Sequence, residues 1–319
     1  MRSLLTIFVI FFVFVSCKEE DEIEQKISKI ELDVLVERFD RAFANATPKD
    51  LPQLKNAFPF LFSEKVPDSV WINRMNDTLQ EQLLFEVDKT FGDFSNTEDE
   101  LFRLFQHLKY YDQMFTVPRV ITLTNDVEYR TSVIVTDTIV LIALDNYLGS
   151  AHEFYGNIPK YKTQNMKPSQ IIPDLAQTYA QKHIFQSQQK TLLDDMVYFG
   201  KQLYFMDRVI PFRSDETKIG YTEEQLEFAK ANEDQIWTYF IENEYLYSTD
   251  RSLPGRFIAD APFSKFYLQL DRESPGRLGQ YIGWQIVRAY MEKNEVPLME
   301  MLKKDAVEIF NKSNYKPPK

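Results

Sequence analysis

Apolar residues recur at helical spacing through most of this chain, and one β-branched stretch interrupts them. From about residue 48 to residue 113 the pattern is helical. Pro48-Lys49-Asp50 and Pro67-Asp68-Ser69 put proline in or near a first turn, where its missing N–H costs nothing. Thr97-Glu98-Asp99-Glu100 has the Thr-x-x-Glu form of a capping box, and Leu101, Leu104, Phe105 and Leu108 follow on one face. The texture changes at Val117. Residues 118–124 (PRVITLT) and 131–145 (TSVIVTDTIVLIALD) are rich in β-branched side chains, and Thr136-Asp137-Thr138 between two apolar runs predicts a tight strand pair. Residues 31–37 (ELDVLVE) alternate and predict a first strand. Helices then return. Residues 169–184 place Ile172, Leu175, Ala176, Tyr179, Ala180, His183 and Ile184 on one face, and Pro173 fits only in that helix's first turn. Residues 191–206 repeat the pattern, residues 221–244 predict one further helix, and residues 277–292 and 296–310 predict two more. Residues 251–276, with Pro254-Gly255 and Pro275-Gly276, read as a structured loop of the kind that often carries function. The expected architecture is a helix-rich α+β domain over residues 29–319, with a small mixed or antiparallel sheet and a helical N-terminal elaboration.

The N-terminus has a different grammar. Arg2 gives a positive start, and residues 4–15 form an apolar run of 12 residues broken only by Thr6. As a helix it spans about 18 Å at roughly 1.5 Å per residue, too short for a bilayer core of about 30 Å. It has the size of the apolar region of a secretory signal. Phe14-Val15-Ser16-Cys17 resembles a bacterial lipobox, with Phe where Leu is usual. The expected organisation is a lipoprotein signal peptide over residues 1–16, followed by a lipidated Cys17 and an acidic tether over residues 17–28. Lys18 followed by Glu19-Glu20-Asp21-Glu22 resembles the export signal of surface lipoproteins in Bacteroidota. The expected location is the cell envelope, lipid-anchored to a membrane: the outer membrane on its periplasmic or surface face, or the inner membrane.

Composition narrows the chemistry. Net charge is -11 and no basic stripe interleaved with aromatics occurs, which argues against nucleic acid as a partner. A single cysteine leaves no internal disulfide and no paired-cysteine metal site. No glycine-rich phosphate loop and no Gly-x-Ser-x-Gly elbow is found, so nucleotide binding and an α/β-hydrolase nucleophile lack support. The three histidines are His107, His152 and His183. His107 is expected to be partly exposed and His183 to be a core histidine. His152-Glu153-Phe154-Tyr155-Gly156 has the start of a zincin helix but Gly156 where the second ligand belongs, and one imidazole does not hold catalytic zinc. No cofactor is expected beyond the covalent lipid on Cys17, and no metal.

Longer motifs carry a resemblance across nearly the whole chain. They are the lipobox at Cys17, Val36-Glu37-Arg38-Phe39-Asp40, and Ile142-Ala143-Leu144-Asp145-Asn146-Tyr147-Leu148-Gly149. Others are Phe154-Tyr155-Gly156 with Pro159-Lys160-Tyr161, Tyr198-Phe199-Gly200-Lys201 with Tyr204-Phe205-Met206-Asp207, and Pro275-Gly276-Arg277-Leu278-Gly279-Gln280-Tyr281-Ile282-Gly283. With these the chain resembles the gliding-motility lipoprotein GldB family of Bacteroidota. That family looks distantly similar to zinc-peptidase-like proteins. Laying their Ile-Ile-His-Glu-x-x-His helix over residues 171–177, and their Glu-Gly helix over Phe199-Gly200, puts Pro173, Gln177 and Phe199 at the ligand positions. Asp174 then falls at the general base. Pro and Phe cannot ligate zinc, so the resemblance implies a zincin-like fold without its metal.

What the resemblance implies for function is a non-catalytic envelope lipoprotein required for gliding motility and associated with type IX secretion. It would act by protein or peptide binding or as a scaffold, with other gliding and secretion proteins as partners. Tyr147, Tyr155, Arg256, Arg277 and Trp284 are the expected contact anchors, since aromatics and Arg dominate binding hot spots. The alternative is a metal-dependent hydrolase or peptidase using His152 and Glu153. The mature chain is expected to begin at a lipid-bearing Cys17. Mass spectrometry of the mature N-terminus checks this, and a terminus elsewhere, or one without lipid, rules it out.

Overall fold

In the computed structural model, which describes residues 22–185, 190–268 and 271–318, the β-branched stretch forms the centre of a four-stranded sheet. Strands β1 (Val36–Arg38), β2 (Arg119–Leu123), β3 (Val133–Val135) and β4 (Ile139–Ala143) lie in the order β1-β2-β4-β3. β1, β2 and β4 are mutually parallel, and β3 returns antiparallel to β4 through the expected Thr136–Thr138 turn. There the Thr136 hydroxyl oxygen accepts the Ile139 N–H at 2.9 Å. The sheet is therefore mixed, and its first strand begins later than the alternation suggested.

Alternation along β2 divides the interior in two. Val120 faces a large core shared with Val140 and Ile142, while Ile121 faces a smaller cluster of Phe39, Phe43, Leu51, Leu54, Phe58 and Phe62. Helices α1 (Phe39–Ala44), α2 (Leu51–Ala57) and α3 (Asp68–Met75) bring most of that second cluster. Its rings meet edge to face, Phe39 with Phe58 at 5.0 Å and Phe62 with Trp71 at 4.8 Å. Next come α4 (Thr78–Phe91) and α5 (Ser95–Tyr111). α5 starts two residues ahead of the expected capping box: Asp93 accepts the Ser95 N–H at 3.0 Å, and Thr97 is buried inside the helix.

A short helix α6 (Lys160–Thr163) precedes α7 (Ile171–His183), which has Pro173 in its first turn as its chemistry requires. α8 (Leu192–Val209) opens on a reciprocal cap between Thr191 and Asp194, and α9 (Asp215–Ile219) follows it. The helix expected over residues 221–244 is two, α10 (Glu223–Ala231) and α11 (Glu233–Glu242). The break falls at Asn232, whose amide donates back to the Phe228 carbonyl at 2.8 Å and competes with the helical ladder. Within the expected loop, residues Ser252–Phe257 form α12. α13 (Leu278–Lys293) is followed by α14 (Leu298–Met301) and α15 (Ala306–Ser313), where one helix had been expected. Asp305 breaks that last segment by capping the Val307 N–H at 2.8 Å.

Two expectations near the N-terminus are corrected. Within the expected tether, residues 22–27 are helical and Ile27 is 1% exposed. His107 is 2% exposed rather than partly exposed; its ring nitrogens meet the Arg103 carbonyl at 2.7 Å and Glu24 at 2.9 Å. The expected lipidation of Cys17 lies outside the described residues.

The large core is organised by the crossing of α8 and α13. Gly200 and Gly283 face each other there, and a Cβ built on either would meet backbone of the other helix deep inside van der Waals contact. The approach puts Asp207 of α8 against α13, where it accepts from Trp284 Nε1 at 2.8 Å and from Arg288 Nε at 2.8 Å. Arg288 also holds Asp215 of α9 at 2.9 Å and stacks over the Trp284 ring at 3.7 Å. Lys201, the next residue after the crossing glycine, is buried and donates to the Leu302 carbonyl at 3.0 Å, tying down the end of α14.

A methyl group at the crossing is expected to cost at least about 3 kcal/mol, the upper end for overpacking, because backbone rather than a movable side chain stands in the way. Gly283→Ala should lower the urea unfolding midpoint accordingly. Gly255→Ala, on the exposed side of α12 with nothing near its Cβ, should be neutral or gain up to about 1 kcal/mol.

Candidate functional site

Because β1, β2 and β4 run the same way, their carboxyl ends open on one edge of the sheet, the usual place for ligand crevices beside parallel strands. Each strand delivers a polar group there. After β1, Asp40 is 3% exposed and held bidentately by Arg38 at 3.0 and 2.7 Å, and the Thr122 hydroxyl donates to it. After β4, Asp145 is fully buried and gathers the loop that follows β2: Asn125 N–H at 3.1 Å and Val127 N–H at 2.7 Å. Asn146 adds its amide to the Asn125 side-chain oxygen at 3.0 Å. The gathered loop is strained. Asp126 and Val127 have φ of 61° and 58°, a region that a β-branched residue rarely enters and that costs about 1–3 kcal/mol. The Asp145 carboxylate, by accepting those N–H groups, holds the strained turn in place.

Helix α4 lies across this edge, and cavities border it on both sides. One of about 440 Å³ lies towards α1, with Asp40, Arg41, Arg74, Gln80 and Phe85 in its wall. Another of about 540 Å³ runs between α3, the strained loop and Phe154, with Val70, Leu79, Leu83 and Asp126. A third, about 690 Å³ and open, is walled by Glu81, Gln82, Phe85, Glu86, Glu153 and Phe154. A fourth of about 270 Å³ reaches Trp71, Leu123 and Asn125. Arg74 lines three of the four and pairs with Asp126 at 2.6 Å. The buried face of α4 is Gln80, Leu83, Val87 and Phe91, whereas Leu79 is 74% and Phe85 67% exposed beside the cavities. Single exposed apolar side chains are ordinary; here two flank one groove.

The residues expected as contact anchors lie away from these cavities, and burial argues against that role for all but Arg277. Tyr147, Tyr155 and Trp284 are at most 2% exposed, so a partner cannot reach them without opening the fold. Tyr147 donates to Asp174 at 2.7 Å, and Tyr155 donates to the Asp145 carbonyl at 2.7 Å while accepting from Leu148 N–H at 2.9 Å. Arg256, also buried, donates to the Tyr239 and Tyr245 hydroxyls at 3.1 and 3.2 Å. Arg277, half-buried and at φ 62°, donates to the Gly220 carbonyl at 3.1 Å. These side chains connect helices and loops internally.

The overlay positions are likewise structural. Pro173 is buried, Gln177 donates to Gln202 across α7 and α8 at 3.1 Å, and Phe199, partly buried against the large core, meets Tyr198 edge to face at 5.2 Å. None of Pro173, Asp174, Gln177 and Phe199 lines the cavities around α4. His152 has both ring nitrogens engaged, Nε2 with Glu86 at 3.3 Å and Nδ1 accepting from Phe154 N–H at 3.3 Å, while Glu153 is exposed. His183 is half-buried, 3.9 Å from Asp112, and burial pulls its pKa down. Among the described residues no group of three or more His, Cys, Asp or Glu stands close enough to hold a metal ion.

Burial pushes both Asp145 and Asp174 up to about 6. For Asp174, Tyr147, Gln170 and the nearby Arg277 oppose that push without cancelling it. A carboxyl raised in the folded state binds its proton more tightly there than in the unfolded chain. Its stabilising contribution is therefore complete below the ordinary value of 3.8 and is lost as pH rises through about 6. Asp174→Asn should flatten the fall in urea midpoint between about pH 4 and pH 6. Asp145→Asn should destabilise above about pH 6 by about 1–3 kcal/mol, because the amide NH2 would replace a carboxylate oxygen that lies 3.1 Å from the Asn125 N–H and would face that donor.

No curated protein and no solved structure matches the chain. The expected likeness to zinc peptidases finds no support in these comparisons. Among the described residues no helix is long and apolar enough to cross a membrane. A family model described as gliding motility protein GldB matches residues 20–317, nearly the whole chain, and the chain belongs to that lipoprotein family.

Proposed function

We propose that this chain is a non-catalytic envelope lipoprotein, anchored through Cys17, that serves gliding motility and type IX secretion by binding a protein or peptide segment in the groove around α4. One observation carries the reading: the cavities converge on a single helix whose outward side chains, Leu79 and Phe85, are apolar and exposed. A groove of several open cavities suits a chain of side chains better than one small molecule, which is usually enclosed over most of its surface. The engagement of both His152 nitrogens and the packing of Pro173, Gln177 and Phe199 support a binding role over hydrolysis.

The test is made in the native cell. Leu79→Glu combined with Phe85→Glu should abolish or severely reduce colony spreading, while protein level and membrane association stay unchanged. Met114→Glu, at a position 85% exposed and away from the groove lining, should spread normally. Normal spreading by the double variant at normal abundance would overturn the proposal.

A further inference from the structure

The turn at Asp126-Val127 has the wrong sequence for its shape. Both central residues have positive φ, as in a type I′ turn, which ordinarily takes Asn or Asp followed by Gly; here Val127 stands in the glycine's place. The turn's own backbone bond, from Glu128 N–H to the Asn125 carbonyl, is long at 3.3 Å. Its shape is therefore imposed by its surroundings. On the inner side the Asp145 carboxylate accepts Asn125 N–H with both oxygens at 3.1 Å and Val127 N–H at 2.7 Å. On the outer side Arg74 of α3 pairs with Asp126 at 2.6 Å. Residues of the turn wall two of the cavities beside α4, so its position sets the shape of both.

The inner grip depends on a buried charge without a countercharge. The groups that act on the Asp145 carboxyl are the N–H groups of Val127, Asn125 and its own residue, which favour the ionised form, and the Asp126 carboxylate, which disfavours it. The Tyr155 hydroxyl donates to the main-chain carbonyl of Asp145 instead. No Lys, Arg or His is among them. A proton and the N–H groups of the turn compete for the same two oxygens, because a protonated carboxyl keeps less acceptor capacity.

We propose that this turn is a proton-operated latch on the groove: ionised Asp145 holds it, with Asp126 engaging Arg74, and protonated Asp145 lets it relax and frees Arg74 towards the three cavities that it lines. A proton can shift such an equilibrium only if the two forms bind it differently, and they do, since only the held form presents the N–H groups to the carboxylate. Burial sets the working range by raising the carboxyl from 3.8 to about 6. The latch is thus held above about pH 6 and released below it. It operates on the turn itself, whatever the groove binds.

The test places a nitroxide spin label on Glu128→Cys in the full-length lipoprotein in mild detergent. Glu128 is exposed, and its side chain meets only Arg130, at 3.5 Å. Cys17 is the chain's only native cysteine, and labelling of the unsubstituted protein gives its background. The mobile fraction of the spectrum should rise at least about twofold as pH falls from about 7.5 to about 5, with its midpoint near 6. Asp145→Asn should be mobile throughout and show no midpoint. Val127→Gly, which enters the same turn without strain, should stay held to lower pH and move the midpoint down by about half a unit or more. A label on Glu295→Cys, exposed in the loop between α13 and α14, should not change over the range. A Glu128 label with the same spectrum at both ends of the range, or a transition that survives unchanged in Asp145→Asn, would overturn the proposal. Should Asp145→Asn fail to fold, an unmoved midpoint in Val127→Gly overturns it in the same way.

Discussion

Backbone meets backbone where α8 and α13 cross at Gly200 and Gly283. Glycine in a helix interior costs about 1 kcal/mol relative to alanine, and this chain accepts that twice at one point. What it gains is proximity. With no side chains between them, the two helices draw the Asp207 carboxylate onto Arg288 and Trp284, and Lys201 onto the carbonyls that end α14. Buried charges are stable only when so surrounded. Separate those helices by one methyl group and the ion network loses its geometry along with the apolar contacts.

The sheet edge follows a different logic. The α8–α13 pair is tightly fitted, whereas the carboxyl ends of the parallel strands carry carboxylates, a strained turn and cavities. Asp145 links the two regimes. Its side chain holds the turn after β2, its carbonyl accepts from Tyr155, and its neighbours Asn146 and Tyr147 reach Asn125 and α7. The loops of the sheet edge are thus tied to α7 by the consecutive residues Asp145, Asn146 and Tyr147, while α4 is held by its own buried face.

Much of the fold was legible in sequence, and the failures have physical causes. The strands declared themselves because β-branched side chains are concentrated between residues 118 and 143. The helix breaks at Asn232 and Asp305 did not, because a short polar side chain that captures its own backbone leaves no trace in apolar periodicity. Long aromatic motifs such as the one around Tyr147 pointed to importance but not to place, since an aromatic that anchors a partner and one that anchors a core have the same composition. The groove was missed for the converse reason. Leu79 and Phe85 read as the margins of an ordinary apolar stripe, and only their exposure in three dimensions separates them from Leu83 and Val87.

The docking of Ile27 in the core and of Glu24 on His107 fixes how much slack the chain has before its body begins. From Cys17 to the described helical residue Glu22 there are five peptide steps, and even a fully extended chain of that length reaches only roughly 18 Å. A lipid on Cys17 would therefore act as a short leash. With a lipid there, the folded body would stay close to the bilayer.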